Sequence, residues 1–357
     1  MNKTSSNNKR LSTAIPRPAA RISSVLVYFL GALLLCSASP ASLRAEAAID
    51  DMLSIAPFKK KDAKRVRAGK AVHTGLQEVS KRELAVAAAC LVREGAPNPL
   101  DTIRTEERPL VQQEILEGFG EISPDSPGES FSGLTLGDRA GGEAKLYLDF
   151  EPGVGLNLSP GEIAEFQKLD TGNQPDDGVQ AVESLIRAQL LARYSSYSAR
   201  GLDGIEPYAR ERNAIADPAA EIRSTLELAH PLKKLFPSYY RTWLDYPEDL
   251  PEEAEETYYW LRIDVENRPQ LMLAHRVDAV FEGSEILGER YFYISHFANV
   301  GYTLVAVVSV EEGDLFFYVN RFWVDEWSGM PSLKHKLGQK MMGGEMRNRI
   351  ERHEICR

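Results

Sequence analysis

Four segments near the C-terminus, residues 270–280, 289–298, 301–310 and 314–324, are rich in β-branched and aromatic residues. Short turn signals separate them, among them Glu282-Gly283-Ser284 and Glu312-Gly313-Asp314. Strands joined by such short turns run antiparallel, because a parallel return needs a crossover of a dozen residues or more. An antiparallel meander of about four strands is therefore expected, and its apolar face needs a second layer to bury it. Upstream, Leu84–Val92 is a compact apolar run bounded by charge and then by Gly95, Pro97 and Pro99, and reads as a further buried strand. Residues 114–122 and 144–150 read as short strands on either side of a Gly-, Pro- and Ser-rich stretch, 123–142. Residues 46–80, with Lys59, Lys60, Lys61, Lys64 and Arg65 clustered, read as a solvated lead-in.

Between these strand regions the period changes. Ser159-Pro160-Gly161-Glu162 is a capping box with Pro at the first helical position. Val179, Val182, Leu185, Ile186, Leu190 and Tyr194 keep helical spacing, which predicts a long amphipathic helix over 177–199, stopped by Gly201 and Gly204. Asp217-Pro218 opens another helix, with Ile222, Leu226 and Ala229 inward. Pro231, Pro237, Pro247 and Pro251 punctuate short helical pieces up to Trp260. Pro331 opens a terminal helix carrying Leu333, Leu337, Met341, Met346 and Ile350, weakened by Gly343 and Gly344. The fold expected is α+β: an antiparallel sheet packed on a long C-terminal helix, with a helical insertion at about 159–260.

The N-terminus reads as an address. Residues 1–45 hold six basic and no acidic residues, and an apolar run of about a dozen residues, Val25–Cys36, precedes small residues with cleavage positions after Ala41 or Ala45. This is the pattern of a signal peptide over 1–45, followed by a single domain over 46–357. The alternative is an inner-membrane anchor through residues 22–36, although a span needs about twenty apolar residues. Either reading places the protein outside the cytoplasm, in the periplasm or cell envelope. The rest of the chain carries 36 basic against 52 acidic residues, a net −16, which excludes general nucleic-acid binding. Two cysteines remain after the leader, Cys90 and Cys356. Export permits a disulfide, but the spacing supplies no framework, and the simpler expectation is two free thiols.

The sequence lacks a phosphate-binding G-x-x-x-x-G-K, an H-E-x-x-H, a C-x-x-C and a G-x-S-x-G, so no catalytic residue, metal or cofactor is assigned. In the strand 270–280, His275 shares a face with Leu271, Leu273, Val277 and Ala279; in 314–324, Arg321 shares one with Leu315, Phe317 and Val319. A guanidinium on an apolar face needs a partner, and Asp325 and Asp278 are the expected ones. It is either an internal ion pair or a polar anchor in an apolar cavity. His296, in Tyr291-Phe292-Tyr293-Ile294-Ser295-His296-Phe297, faces with Phe292 and Ile294. Residues 245–256 hold seven acidic side chains and no basic one, read as a solvated turn and the first turn of a helix. Residues 331–357 carry seven basic against three acidic residues, which offers a contact for anionic lipid headgroups.

The motifs Gly204-Ile205-Glu206-Pro207-Tyr208, Leu244-Asp245-Tyr246-Pro247, Tyr258-Tyr259-Trp260, Tyr293-Ile294-Ser295-His296-Phe297 and Tyr318-Val319-Asn320-Arg321 resemble a family of uncharacterised exported bacterial proteins over roughly residues 65–350. That resemblance implies export and a shared architecture, not a reaction. The order of elements also resembles, more weakly, the START-like or helix-grip superfold, with Leu84–Val92 as first strand and 331–353 as gripping helix. That likeness implies a hydrophobic ligand. The expectation is thus non-catalytic binding of a lipid or other hydrophobic small molecule, with ligand contacts from His275, Tyr293, His296, Asn320 and Arg321, and a peripheral membrane contact through the terminal helix. The alternatives are an envelope enzyme using Tyr293, His296 and Arg321 in a cleft, with His275 as a further candidate, and an interaction module working through an apolar patch on 177–245.

Overall fold

The computed structural model describes residues 49–356 apart from 55, 107–109, 111–112, 154, 170–174, 229 and 325–331. The leader, Asp325 and Ala229 lie outside the described residues. The chain begins with helices α1 (Ile49–Ser54) and α2 (Lys60–Arg67), then strands β1 (Val72–Gly75) and β2 (Glu83–Leu91). Helix α3 (Pro99–Glu106), strand β3 (Leu116–Glu121) and helices α4 (Pro127–Ser130) and α5 (Ala140–Leu148) follow. The helical region is α6 (Pro160–Phe166), α7 (Pro175–Arg200), a small hairpin β4 (Tyr208–Ala209) and β5 (Ile215–Ala216), α8 (Pro218–Leu228), α9 (His230–Leu235) and α10 (Pro237–Asp245). Strands β6 (Glu255–Val265), β7 (Arg268–Phe281), β8 (Ser284–Ile294), β9 (Val300–Val310) and β10 (Gly313–Trp323) then run to the terminal helix α11 (Ser332–Arg352).

The protein is α+β, built on one antiparallel sheet of eight strands in the order β1-β2-β10-β9-β8-β7-β6-β3. Its core is the meander β6 to β10, five strands where the sequence predicts four. The added strand is β6, in the stretch read as helical up to Trp260. Tyr258, Tyr259, Trp260, Leu261 and Ile263 give it a buried face on each side, a pattern that prolines upstream obscure. Two-residue turns join the first three strands. Glu266 and Asn267 have φ of 53° and 63°, and Glu282 and Gly283 have 50° and 79°, the positive pair that matches hairpin twist.

β2 then closes the meander on its far side. It pairs with β10 from Leu91 opposite Leu315 to Glu83 opposite Trp323. Every residue of β2 is buried, as its unbroken apolar run predicts for a strand covered on both faces. The helical side holds α1, α2, α5 to α8 and α10, whose buried residues join Ala87, Phe317, Leu304, Phe292 and Leu273 in one core. The opposite side carries Leu100 and Ile103 of α3 and Met346 and Ile350 of α11 against Val86, Ala88, Cys90 and Phe316. Gly343 lets α11 approach β1 closely, since a Cβ there would lie 2.5 Å from the His73 ring and 3.1 Å from Val86.

Several expectations hold. The capping box forms, with Glu162 N–H donating to Ser159 Oγ at 3.3 Å and Ser159 N–H to Glu162 Oε2 at 2.7 Å. The long helix runs 175–200, and Asp217 caps α8 by accepting from Ala220 N–H at 2.9 Å. Others do not. The lead-in 46–80 is structured as α1, α2 and β1, because Ile49, Met52, Leu53, Ala63 and Val66 form apolar stripes between its charges. Residues 144–148 belong to α5 rather than a strand, with Ala144 and Tyr147 buried at helical spacing in the core they share with α7. Cys90 and Cys356 are paired as a disulfide, not free, with Cα atoms 5.7 Å apart. A bridge between Val92 and Cys356, and Arg93 N–H donating to Ile355 O at 3.0 Å, bring the chain's end alongside β2.

Candidate ligand-binding groove

The sheet's second face is not evenly covered. One buried cluster lies under α3 and α11; another, of Tyr259, Leu261, Ile263, Met272, Ala274, Tyr291 and Ile294, lies toward β6. Between them runs a groove of about 350 Å3, at the small end of ligand-sized pockets. Its floor is Ile263, Met272, Tyr291, Ile294, Tyr318, Asn320 and Phe322 from β6, β7, β8 and β10, and α11 supplies the wall Met342, Glu345, Met346 and Arg349. Two methionines on that wall are unbranched and polarisable, so they adapt to apolar ligands of different outline.

Polar groups converge at one end. Arg349 Nη1 donates to Leu110 O at 3.3 Å and to Tyr318 Oη, and its guanidinium lies 5.7 Å from the Tyr318 ring centroid. Tyr291 Oη donates to the same Leu110 carbonyl at 3.2 Å. Leu110 N–H in turn donates to Glu289 Oε1 at 3.0 Å, and Glu289 is paired with Arg276 at 2.8 Å in the interior of β7 and β8. A buried charged pair thus holds Leu110 at this end. Burial pushes the Tyr291 hydroxyl well above its usual range, so it remains a neutral donor. Farther along, Gln270 Nε2 donates to His296 O, and Asn320 Oδ1 accepts from Thr303 Oγ1 at 3.0 Å.

Of the five expected contact residues, only Asn320 lines this groove. His275 is fully buried on the helical side. Its ring stacks on Tyr258 at 4.5 Å and meets Tyr246 and Trp243 at 4.5 and 5.2 Å. Tyr197 Oη accepts from Arg290 Nη1 at 3.2 Å and shares a hydrogen bond with His275 Nδ1 at 2.9 Å; His275 Nε2 lies 3.5 Å from Glu256 Oε1. Burial, helped by the Arg290 cation, holds this imidazole well below its usual pKa, which leaves it uncharged beside Glu256. Glu256 lies at the start of β6 rather than in a helix, and accepts from Tyr246 Oη at 2.7 Å.

Tyr293 faces the helical side too. A bulge in β8 pairs Tyr293 with Leu273 but Tyr291 with Ala274, so consecutive Phe292 and Tyr293 enter the same core while Ile294 faces the other way. That shift breaks the expected alignment of Phe292, Ile294 and His296. The Arg193 guanidinium lies 4.3 Å from the Tyr293 ring and is paired with Glu162 at 2.5 and 2.7 Å. His296, just past β8, has Nδ1 3.0 Å from Ser295 Oγ, and burial lowers its pKa to about 3, with the Arg268 charge adding to the effect.

Arg321 is an internal ion pair. Its partner is Glu83 at 2.6 Å, with Gln77 O at 3.2 Å, not Asp278; Asp325 is outside the described residues. Asp278 instead takes Arg104 in a two-point contact at 2.5 and 2.8 Å. Pairing of β2 with β10 is what carries Glu83 to Arg321 from 238 positions away. Reading the helical-side residues of β10 gave Arg321; the alternate set Tyr318, Asn320 and Phe322 on the same strand marks the groove. Tyr291, Met342, Met346 and Arg349 were missed because neither a strand buried on both faces nor a terminal helix announces which layer covers it.

Among the described residues, no group of three or more His, Cys, Asp or Glu side chains is placed to hold a metal ion, and no helix is long and apolar enough to cross a membrane. Of the exposed large apolar side chains, only Ile215 falls within 177–245, so the patch expected of an interaction module on that segment is absent among the described residues. Fold and groove together define an α+β protein with an eight-stranded antiparallel sheet, helices over one face and an apolar groove on the other. Comparison with known protein families, with curated proteins and with solved structures finds no match to this chain.

Proposed function

We propose that this protein is a non-catalytic binding protein that holds a lipid or other hydrophobic small molecule in the groove between α11 and the sheet's second face. The observation that carries the reading is the groove itself: about 350 Å3, walled by Met342 and Met346, floored by apolar and aromatic side chains, with hydrogen-bonding groups at one end. The ligand's apolar part lies along Ile263, Met272 and Ile294, and its polar end is placed toward Arg349 and Tyr318. In outline this is a helix-grip arrangement, in which a terminal helix closes an apolar space against an antiparallel sheet.

The reading includes export to the periplasm or envelope. The basic, then apolar, then small-residue N-terminus supports it, and so does the pairing of Cys90 with Cys356, which an oxidising compartment sustains. Kinship with the exported bacterial family that the C-terminal motifs resemble belongs to the same proposal. The catalytic alternative loses support because Tyr293, His296 and Arg321 are buried, each engaged by its own neighbours, and none of them lines the groove.

Native mass spectrometry of the protein purified from its own cells, followed by denaturing solvent extraction, tests the proposal. The expected result is a lipid-sized mass that leaves on extraction and is absent from a groove-filled Met342→Trp variant. An empty wild-type chain that also fails to take up an apolar fluorescent probe would overturn it.

A further inference from the structure

Helix α11 has a third face, turned neither to the sheet nor to the groove. Leu337 and Met341, at i and i+4, are 53% and 64% exposed, whereas other exposed large apolar residues, such as Phe119, Leu146, Ile215 and Val280, lie far apart in sequence. Lys336 and Lys340 flank them, one residue earlier at each step, and are exposed as well. The adjoining edge of the sheet, at β1, is basic. There a second groove of about 620 Å3 is lined by Arg65, Lys70, Arg93 and Arg347, against the acidic Glu351 and Glu354. Arg347 and Arg93 are held loosely by Glu351 at 3.6 Å and Glu354 at 3.3 Å, at largely exposed positions. α2 extends this surface with exposed Lys60, Lys61 and Lys64. The half-buried His73 imidazole beside α11 is held below its usual pKa, first by burial and then by Arg347 and Arg65, with Asp62 opposing and Lys340 adding to the effect. All this stands on a body of net charge −16 over residues 46–357.

We infer that the ridge of α11 and the β1 edge beside it form a docking surface for an anionic lipid bilayer. A phosphate-bearing polymer would match the cations but has no use for exposed Leu337 and Met341. A bilayer takes both, with apolar side chains entering the headgroup region and lysines and arginines remaining at the phosphates. The acidic remainder of the body is repelled by the same surface, so one orientation is favoured. Because Met342, Met346 and Arg349 are on the groove side of the same helix, this orientation brings the apolar groove to the membrane. The docking surface does not depend on the groove being a ligand site.

Lysine footprinting of the full chain tests it. The protein is acetylated with a limiting reagent in the presence of vesicles of neutral phosphatidylcholine, or of phosphatidylcholine with phosphatidylglycerol at seven to three, and each lysine is quantified by mass spectrometry. Labelling of Lys64, Lys70, Lys336 and Lys340 is expected to fall several-fold with anionic vesicles only, and to recover in high salt, while exposed Lys145 and Lys168 stay constant. Each basic residue near an anionic surface contributes about fivefold in affinity, so Lys340→Glu with Arg347→Glu is expected to weaken association by roughly 25-fold or more. Leu337→Ser with Met341→Ser, a pair of exposed changes, weakens it without unfolding the chain. Protection confined to the leader lysines Lys3 and Lys9, equal protection by both vesicle types, or protection that appears with protein concentration alone would overturn the inference, the last pointing to a second copy of the chain. A protein empty of ligand that still shows the anionic footprint removes the groove proposal and leaves this one standing.

Discussion

The two faces of the sheet solve burial in opposite ways. On the helical side, the buried charged and imidazole groups take partners: Arg321 pairs with Glu83, Arg193 with Glu162, and His275 bonds Tyr197. On the other side the floor is mostly apolar, its buried Arg276–Glu289 pair holds Leu110 at one end, and a groove is left open beneath α11. A charge inside the sheet is therefore a poor guide to a binding site here. Charges are where the protein is sealed, and the cavity is where they are sparse.

The sharpest way to break this contrast is to remove one member of a sealed pair. Arg321→Met leaves the Glu83 carboxylate buried, accepting only from Thr225 Oγ1 and Val79 N–H, and is expected to cost about 3–5 kcal/mol in urea unfolding, while the folded fraction keeps its affinity for an apolar probe. Loss of probe binding without loss of stability would place the anchor on the helical side after all. Cys356→Ser releases the chain's end from β2. We expect a loss of about 2–4 kcal/mol, together with weaker probe binding, since α11 forms the groove wall and the disulfide secures the segment that follows it. A variant with unchanged binding would uncouple the groove from the disulfide.

Acid titration tests the buried histidines. His296 has its pKa lowered from 6.5 to about 3, so the unfolded chain binds a proton there that the folded chain refuses. Its contribution is present above pH 6.5 and is lost progressively as pH falls toward about 3. Buried His275 acts in the same direction. Stability should drop by on the order of 1–3 kcal/mol across that window, and His296→Gln should flatten the slope in denaturant melts taken at several pH values. The smallest effect belongs to the groove. Met342→Trp is expected to leave unfolding within about 1 kcal/mol of wild type and to reduce apolar-probe affinity at least tenfold, about 1.4 kcal/mol. Equal probe binding by this variant would show that the probe resides elsewhere.

Much of the architecture was legible in local pattern. The β-branched runs between two-residue turns specify the meander, and the capping box at Ser159 and the spacing from Val182 to Tyr194 specify the helices around it. What local pattern missed has physical causes. In β6 the prolines at 247 and 251 lie just outside the strand but within the window that reads as helix. In residues 49–67 the apolar stripes are thin and crowded by lysine. The candidate site was harder because it depends on pairings far apart in the chain. Neither the partner of Arg321 nor the pairing of Cys90 with Cys356 follows from spacing, and both follow once β2 lies beside β10 and the chain's end beside β2. Asn320 came from a motif, while the alternation of its strand was read for Arg321 on the other face; Tyr293 was put on the wrong side of the question by a one-residue bulge.

The place of β2 also sets an order of events during synthesis. Glu83 and Arg321, which meet across β2 and β10, are made 238 positions apart, so the helical region and the whole meander are translated in between. For that interval Leu84–Leu91 has only the four-residue β1 as a strand neighbour, although in the finished protein it is paired along both edges. Until then it is an apolar strand with one edge open to other molecules. Completing β10 is the step that closes that edge.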